Sequence, residues 1–158
     1  MPVVLSDSEI AALVQEKKRL PADYRQRLKL KSKPGHKERE LDIRGENGSD
    51  FRLVLRQSSL NHLDFSVILA YVPPNSNQSF RLCRYNGKSH EHTNKIEGKT
   101  FYDFHVHRAT ERYQATGIRE DGFAQPTAHY ADFESAVACM IKDCGFELPP
   151  NDQGQLTF

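Results

Sequence analysis

The fold of this chain is decided by the stretch from Phe65 to Val72, which reads FSVILAYV. It is almost continuously apolar, rich in β-branched and aromatic residues, and it ends at Pro73-Pro74. An apolar run of this length between turn signals is typical of a strand that is covered on both faces. We therefore expect residues 65–72 to form the central strand of a sheet.

The segments on both sides of this run alternate apolar and polar residues, which predicts strands with one buried face. Short turns rich in glycine, asparagine and proline separate them. Because the strands follow one another through short turns, they favour an antiparallel meander. The candidate strands lie at residues 25–31, 38–44, 51–56, 65–72, 80–85 and 100–107.

Two amphipathic segments predict a helix near each end of the chain. Ser6 and Glu9 fit a capping box at the start of a helix over residues 6–20. The segment 131–144 has an apolar stripe at helical spacing and is followed by Gly145. A short helix is also expected over residues 110–116.

The predicted fold class is therefore α+β. It consists of an antiparallel meander of five or six strands, with the N-terminal and C-terminal helices packed on one face. We expect one domain over residues 1–146, followed by a loosely ordered C-terminal tail over residues 147–158.

The composition is that of a polar globular chain of 158 residues, with a mean hydropathy of −0.69. No window approaches the roughly 18 apolar residues of a membrane span, and the first residues lack the pattern of a secretory signal. The three cysteines include no C-x-x-C pair, so a disulfide framework and a cysteine-based zinc site are not expected. These observations favour a cytoplasmic protein with no membrane partner.

The charge of the chain is unevenly distributed. Residues 17–39 contain ten basic and two acidic residues, a net charge of +8, although the whole chain carries only +1. A basic strip of this kind attracts phosphates or an acidic protein partner, although it also fits a solvated hairpin. The candidate nucleic-acid-binding residues are Arg25, Arg27, Lys29, Lys31 and Lys33.

Four of the seven histidines fall within 18 residues, at His90, His92, His105 and His107. On a strand, residues two apart point to one face, so His105 and His107 would lie side by side with Asp103. If the strands at 80–85 and 100–107 are hairpin partners, the loop with His90 and His92 can fold across the same face.

Three interpretations of this cluster remain open. The first is acid–base chemistry on a phosphodiester without a metal, for which a pKa near neutrality suits histidine. The second is a site for a divalent metal ion, because histidines two apart on a strand can ligate one ion. The third is structural, with strand histidines hydrogen-bonded to their neighbours.

Each interpretation assigns roles to particular residues. The candidate catalytic residues are His90, His92, His105, His107, Glu111 and Arg108. If a metal is bound, its ligands would be His105, His107, Asp103 and His92. The metal-free chemistry requires no cofactor, whereas the alternative requires a divalent ion.

Part of the chain resembles a known family. The pattern runs from Arg84-Tyr85-Asn86-Gly87, through His90 and His92, to Phe104-His105-Val106-His107 and Thr110-Glu111-Arg112-Tyr113. This layout is similar to the TumE-type toxins of toxin–antitoxin systems and to small uncharacterised bacterial proteins. The resemblance covers about a quarter of the chain. It implies a toxin or defence-associated protein that acts on RNA or the translation machinery, with a cognate antitoxin as partner.

The sequence thus favours a small RNA-directed protein, acting as a metal-independent ribonuclease through the clustered histidines. The alternatives are a non-enzymatic module that binds protein or nucleic acid, and a histidine-ligated metal-dependent hydrolase. Nucleotide-dependent motors, Rossmann dehydrogenases, zincin proteases and α/β-hydrolases are not supported, because their sequence motifs do not occur.

Overall fold

The strands of the structure agree with the alternation of apolar and polar residues over most of the chain. The computed structural model describes residues 3–150 and residue 152. In chain order the elements are α1 (Asp7–Gln15), β1 (Lys18–Arg19), α2 (Tyr24–Arg27), β2 (Lys31–Lys33), β3 (His36–Arg44), β4 (Asp50–Ser58), β5 (Phe65–Val72), β6 (Phe80–Asn86), β7 (His92–Asn94), β8 (Lys99–Phe101), β9 (His105–Arg108), α3 (Glu111–Ala115), β10 (Phe123–Pro126), α4 (Phe133–Asp143) and β11 (Phe146–Glu147).

Seven of these strands form one antiparallel sheet in the order β10-β9-β6-β5-β4-β3-β2. Strand β5 lies in the middle of this order, as its apolar run predicts. Strands β7 and β8 form a separate hairpin, inserted in the chain between β6 and β9. The predicted α+β class with an antiparallel sheet is confirmed.

The two faces of the sheet have different environments. On one face, Phe51, Leu53 and Leu55 of β4 are buried and belong to the hydrophobic core beneath α1 and α4. On the other face, Arg52 pairs with Asp42 across β3 and β4, 2.8 Å apart, and remains partly exposed. The second face of β5 is only half covered, so burial on both faces is not complete.

Both terminal helices begin with capping boxes. Ser6 caps α1 through Glu9, and Asp132 caps α4 through Ser135. The first helix ends at Gln15, short of the predicted residue 20, because the following residues turn to pair β1 with β11 in parallel. No described helix combines the length and apolarity that crossing a membrane requires.

Two predicted strands are wrong in their bounds. Residues 24–27 form a short helix instead of the start of a strand, because Tyr24 and Leu28 are both buried at helical spacing. The predicted strand 100–107 is divided into β8 and β9, because residues 102–104 leave the ladder between two different pairings.

The predicted C-terminal tail falls partly outside the described residues, which omit residue 151 and residues 153–158. Within the described part, Glu147 belongs to β11, and the carboxylate of Asp152 accepts hydrogen bonds from Tyr24 and Arg25. Loose order beyond these contacts stays a prediction.

A buried lysine links the C-terminal ends of α1 and α4. The Lys18 side chain is fully buried, and its ammonium lies 2.8–2.9 Å from four backbone carbonyl oxygens. Three of these belong to the end of α1 and the residue after it, and the fourth belongs to Cys144 at the end of α4. Loss of hydration on burial lowers the pKa of Lys18 to about 8. The amine therefore serves as the common hydrogen-bond donor for two helix ends.

We expect Lys18→Met to lower the free energy of unfolding by about 3 kcal/mol, because it leaves buried carbonyl oxygens without a donor. Urea denaturation measures this change. The matched control is Lys17→Met, since Lys17 is exposed and makes only a surface ion pair with Glu147. Its effect should stay within about 0.5 kcal/mol. Equal effects of the two substitutions would contradict the role of Lys18.

Candidate metal centre

Three histidines lie close together on the face of the sheet opposite α1 and α4. His105 and His107 occupy alternate positions of β9 and are buried, and His92 of β7 is half-buried above them. One ring nitrogen of each histidine lies within 4.8 Å of a ring nitrogen of the other two. The predicted gathering of the loop and strand histidines is therefore present, and three of them lie close enough to hold one metal ion.

The rings are arranged around a common point. The ring centroids of His92 and His107 are 4.7 Å apart, those of His105 and His107 are 5.0 Å apart, and those of His92 and His105 are 5.4 Å apart. Phe101 contributes an aromatic wall, with its centroid 5.5 Å from that of His92. This geometry resembles the three-histidine arrangement with which proteins hold zinc.

Each of the three rings makes one hydrogen bond to a carbonyl oxygen. His105 Nδ1 donates to the backbone oxygen of Asp103 at 2.8 Å, and His107 Nδ1 donates to that of Asp121 at 2.7 Å. His92 Nε2 is 2.9 Å from the side-chain oxygen of Asn94 and donates to it. In these tautomers the second nitrogen of each ring keeps its lone pair, which is the form that binds a metal. At His105 this nitrogen, Nε2, accepts a hydrogen bond of 3.5 Å from the side-chain amide of Asn86, which a metal ion would replace.

Two anchors hold the β7–β8 hairpin over the sheet. The Asn94 side chain donates to the backbone oxygen of Ala124 and accepts from its amide, each at 2.8 Å, as a neighbouring strand would. At the turn, Glu97 accepts hydrogen bonds from Tyr113, at 2.6 Å, and from Arg112. His92 is therefore held on a hairpin that is fixed at its turn and at the adjoining end of β7.

Burial keeps the two strand histidines neutral. Loss of hydration lowers the pKa of His105 to about 4 and that of His107 to about 2, and nearby positive groups act in the same direction. At neutral pH neither ring is in the imidazolium form that a general acid requires. Both rings are thus suited to metal ligation and poorly suited to general acid catalysis.

The other predicted catalytic residues do not all join this cluster. The exposed His90 ring touches His105 from outside, with centroids 5.7 Å apart. The Asp103 side chain is exposed, and among the described residues only the three histidines form a potential metal-ligand group. Arg108 alternates with His107 and so lies on the opposite face of the strand. Glu111 exchanges backbone-to-carboxylate hydrogen bonds with Asp7.

The predicted nucleic-acid-binding residues lie far from the histidines. Lys31 and Lys33 belong to β2, at the edge of the sheet opposite β10, so five strand spacings, roughly 24 Å, separate β2 from β9. Arg27 pairs with Asp23, and Arg25 pairs with Asp152. Lys29 lines a surface groove together with Phe133 and Glu134. The basic segment and the histidine cluster therefore form two separate surfaces.

Two residues that hold the histidine cluster in place were not predicted from the sequence. Asn94 orients His92 and joins the hairpin to β10, and Asp121 is a fully buried acidic residue whose carbonyl oxygen holds His107. Neither residue has a local signal, because both act through partners that are distant in sequence. The turn sequence Asp121-Gly122 indicates only a change of chain direction.

Comparison of the chain with protein-family models, curated proteins and solved structures finds no match. The function of this chain is therefore inferred from the geometry of the site itself.

We expect the metal-free protein to lose stability as the pH falls below about 6.5. Because both strand histidines have a lower pKa in the folded chain, the unfolded chain binds more protons in this range. Each ring should reduce the free energy of unfolding by up to about 1.4 kcal/mol per pH unit. The contribution of His105 ends near pH 4, whereas that of His107 continues to about pH 2.

Urea unfolding of the metal-free protein between pH 7 and pH 5 measures this slope. In the variant His107→Gln, the change of the free energy of unfolding with pH should be smaller by the contribution of one ring. Titration of the ring signals by NMR gives an independent result, and midpoints near 6.5 for both strand histidines would contradict the expectation.

Proposed function

We propose that this protein is a metal-dependent hydrolase whose site is formed by His92, His105 and His107. The observation that carries the proposal is that one ring nitrogen of each histidine lies within 4.8 Å of a ring nitrogen of the other two, in a cluster whose rings are each held by a hydrogen bond to a carbonyl oxygen. Such outer hydrogen bonds fix the tautomer and direct the lone pair of a metal ligand. Neutral imidazoles favour zinc or a similar borderline divalent ion.

Three protein ligands leave a position for water on a tetrahedral ion, which is the arrangement of catalytic zinc sites. An ion held by His92, His105 and His107 would supply a water-derived nucleophile near neutral pH. His92 is half-buried and His90 is exposed, so the side of the cluster on which His90 lies is the one that a substrate can approach. In this position His90 is suited to accept a proton from the water.

The metal-independent ribonuclease mechanism predicted from the sequence is less well supported. It requires one histidine to donate a proton, whereas burial lowers the pKa of both His105 and His107 well below neutrality. A role as a toxin with a cognate antitoxin, and RNA contact through the basic segment, stay predictions that do not depend on the chemistry of the cluster.

We expect protein purified without a histidine tag and incubated with zinc to retain about one ion per chain. His92→Ala should abolish this uptake, because it removes a ligand from a hairpin that remains anchored by Asn94 and Glu97. Bound zinc should also raise the free energy of unfolding by about 2.7 kcal/mol at a free concentration of 100 Kd.

The matched control is His62→Ala, which removes an exposed histidine from the turn between β4 and β5. It should leave the metal content unchanged. Elemental analysis after gel filtration, together with thermal unfolding, measures both effects. Equal metal content in wild-type protein and His92→Ala would refute the proposed site.

We expect zinc-loaded protein to hydrolyse an activated ester such as bis(p-nitrophenyl) phosphate or p-nitrophenyl acetate. Removal of the ion by a chelator should abolish the activity and added zinc should restore it, because the ion generates the nucleophile. His62→Ala should remain active and His92→Ala should not. Cleavage of RNA at full rate by metal-free protein would instead support the ribonuclease mechanism.

A further inference from the structure

A cluster of three arginines adjoins the candidate metal centre. The guanidinium of Arg84 lies 3.2 Å from a carboxylate oxygen of Asp121, that of Arg119 lies 3.5 Å from the other oxygen, and that of Arg81 lies 3.9 Å away. Asp121 is fully buried, whereas the side chains of Arg84, Arg81 and Arg119 are 20%, 29% and 57% exposed. The carboxylate therefore forms the floor of the cluster, and the arginines reach the surface.

The cluster and the histidines share one residue and one face of the sheet. Arg84 lies directly opposite His107 in the register of β6 and β9, so the two side chains project to the same side. The carbonyl oxygen of Asp121 accepts the hydrogen bond from His107 Nδ1. A group bound at the metal would thus lie beside the guanidinium of Arg84.

Positive charge exceeds negative charge at this place. Three guanidinium groups face the carboxylate of Asp121, and Glu120 directs its carboxylate to the backbone amide of Arg81 at 3.2 Å. Burial lowers the pKa of Arg84 even though the carboxylate of Asp121 opposes that shift. Because three guanidinium groups surround one buried carboxylate, a further anion would stabilise them.

The donors of the cluster are also incompletely used. Within the described part of the chain, the buried polar side-chain atoms without a hydrogen-bond partner are Arg84 Nε and both carboxylate oxygens of Asp121. Carboxylate and guanidinium attract each other here without forming the bidentate hydrogen bonds that such pairs usually make. Arg84 Nε is buried and faces Asp121, so it is not the donor for an external anion. Within the described residues, no hydrogen bond engages the terminal amino groups of the three arginines, and these groups are the donors that an external oxyanion would use.

We propose that Arg81, Arg84 and Arg119 form an anion subsite that binds the phosphoryl group of the substrate. The inference rests on the proposed hydrolase function and names its substrate class, a small phosphoester. Arginine suits this role because its planar donors match phosphate oxygens and remain charged at all working pH values. The same groups would stabilise the charge that develops on the phosphoryl oxygens while water adds to phosphorus, the ester P–O bond breaks and the alcohol leaves with a proton.

Binding of inorganic phosphate to the metal-free protein, measured by titration calorimetry, tests the subsite without requiring activity. The double variant Arg81→Gln/Arg119→Gln should weaken phosphate binding at least tenfold, and it keeps Arg84 as the partner of Asp121. Arg84→Lys should weaken binding as well, because it preserves the charge but removes the planar donors. The matched control is Arg52→Gln, an arginine of β4 on the same face of the sheet that pairs with Asp42.

In zinc-loaded protein, the double variant should raise KM for p-nitrophenyl phosphate about tenfold or more, whereas Arg52→Gln should leave it unchanged. The metal content should not change. Equal phosphate binding by wild type and double variant, or none by wild type, would overturn the subsite even if zinc binds. Cleavage of an oligoribonucleotide without hydrolysis of p-nitrophenyl phosphate would contradict the substrate class.

Failure of the two proposals is distinguishable. Phosphate binding that depends on the arginines, in a protein that takes up no zinc, supports the anion subsite and contradicts the metal centre. Zinc uptake by a protein whose phosphate binding is the same in wild type and in the arginine variant supports the metal centre and contradicts the anion subsite.

Discussion

The side chain of Asn94 makes the interaction on which the candidate site depends. It pairs with both backbone groups of Ala124 at 2.8 Å, and its oxygen also accepts the hydrogen bond from His92. One amide therefore fixes the hairpin to the sheet edge and orients a histidine at the same time. Because Asn94 is buried, water cannot compete for these bonds. Without this link the ring from the hairpin would have no fixed position above the two rings from β9.

Asp121 is the second point at which structure and chemistry meet. Its carbonyl oxygen fixes the tautomer of His107, and its carboxylate attracts arginines from β6 and from its own loop. Asp121 thus affects both the tautomer of His107 and the charge around the three arginines. His107 remains neutral because burial, together with nearby positive charge, lowers its pKa, whereas the carboxylate of Asp121 opposes the lowering of the pKa of Arg84 by burial. A neutral ligand set beside a cationic surface suits a metal ion and an anionic substrate better than it suits two proton-transfer groups.

Much of the fold could be predicted because its signals are local. Alternation identified β3, β4 and β6, and the apolar run from Phe65 to Val72 identified the centre of the sheet. The spacing of His105 and His107 also placed both on one face. The errors arose where tertiary contacts override the pattern: Tyr24 is drawn into the core as part of a helix, and the chain leaves the ladder at residues 102–104 so that the hairpin can fold back. Contacts between residues that are distant in sequence, such as Asn94 and Ala124, cannot be predicted from the spacing of apolar residues.

The position of the basic segment limits what the two charged surfaces can do together. Strand β2 carries its lysines at one edge of the sheet, and the histidines lie next to the other edge, roughly 24 Å away. Lysines on an edge strand also discourage pairing with other chains, which explains their presence without any ligand. A small substrate at the cluster would therefore experience the arginines around Asp121, and screening at physiological salt, with a Debye length of about 8 Å, would remove most of the influence of β2. Recognition of an anion at this site thus depends on the arginines that adjoin it and not on the excess charge of residues 17–39.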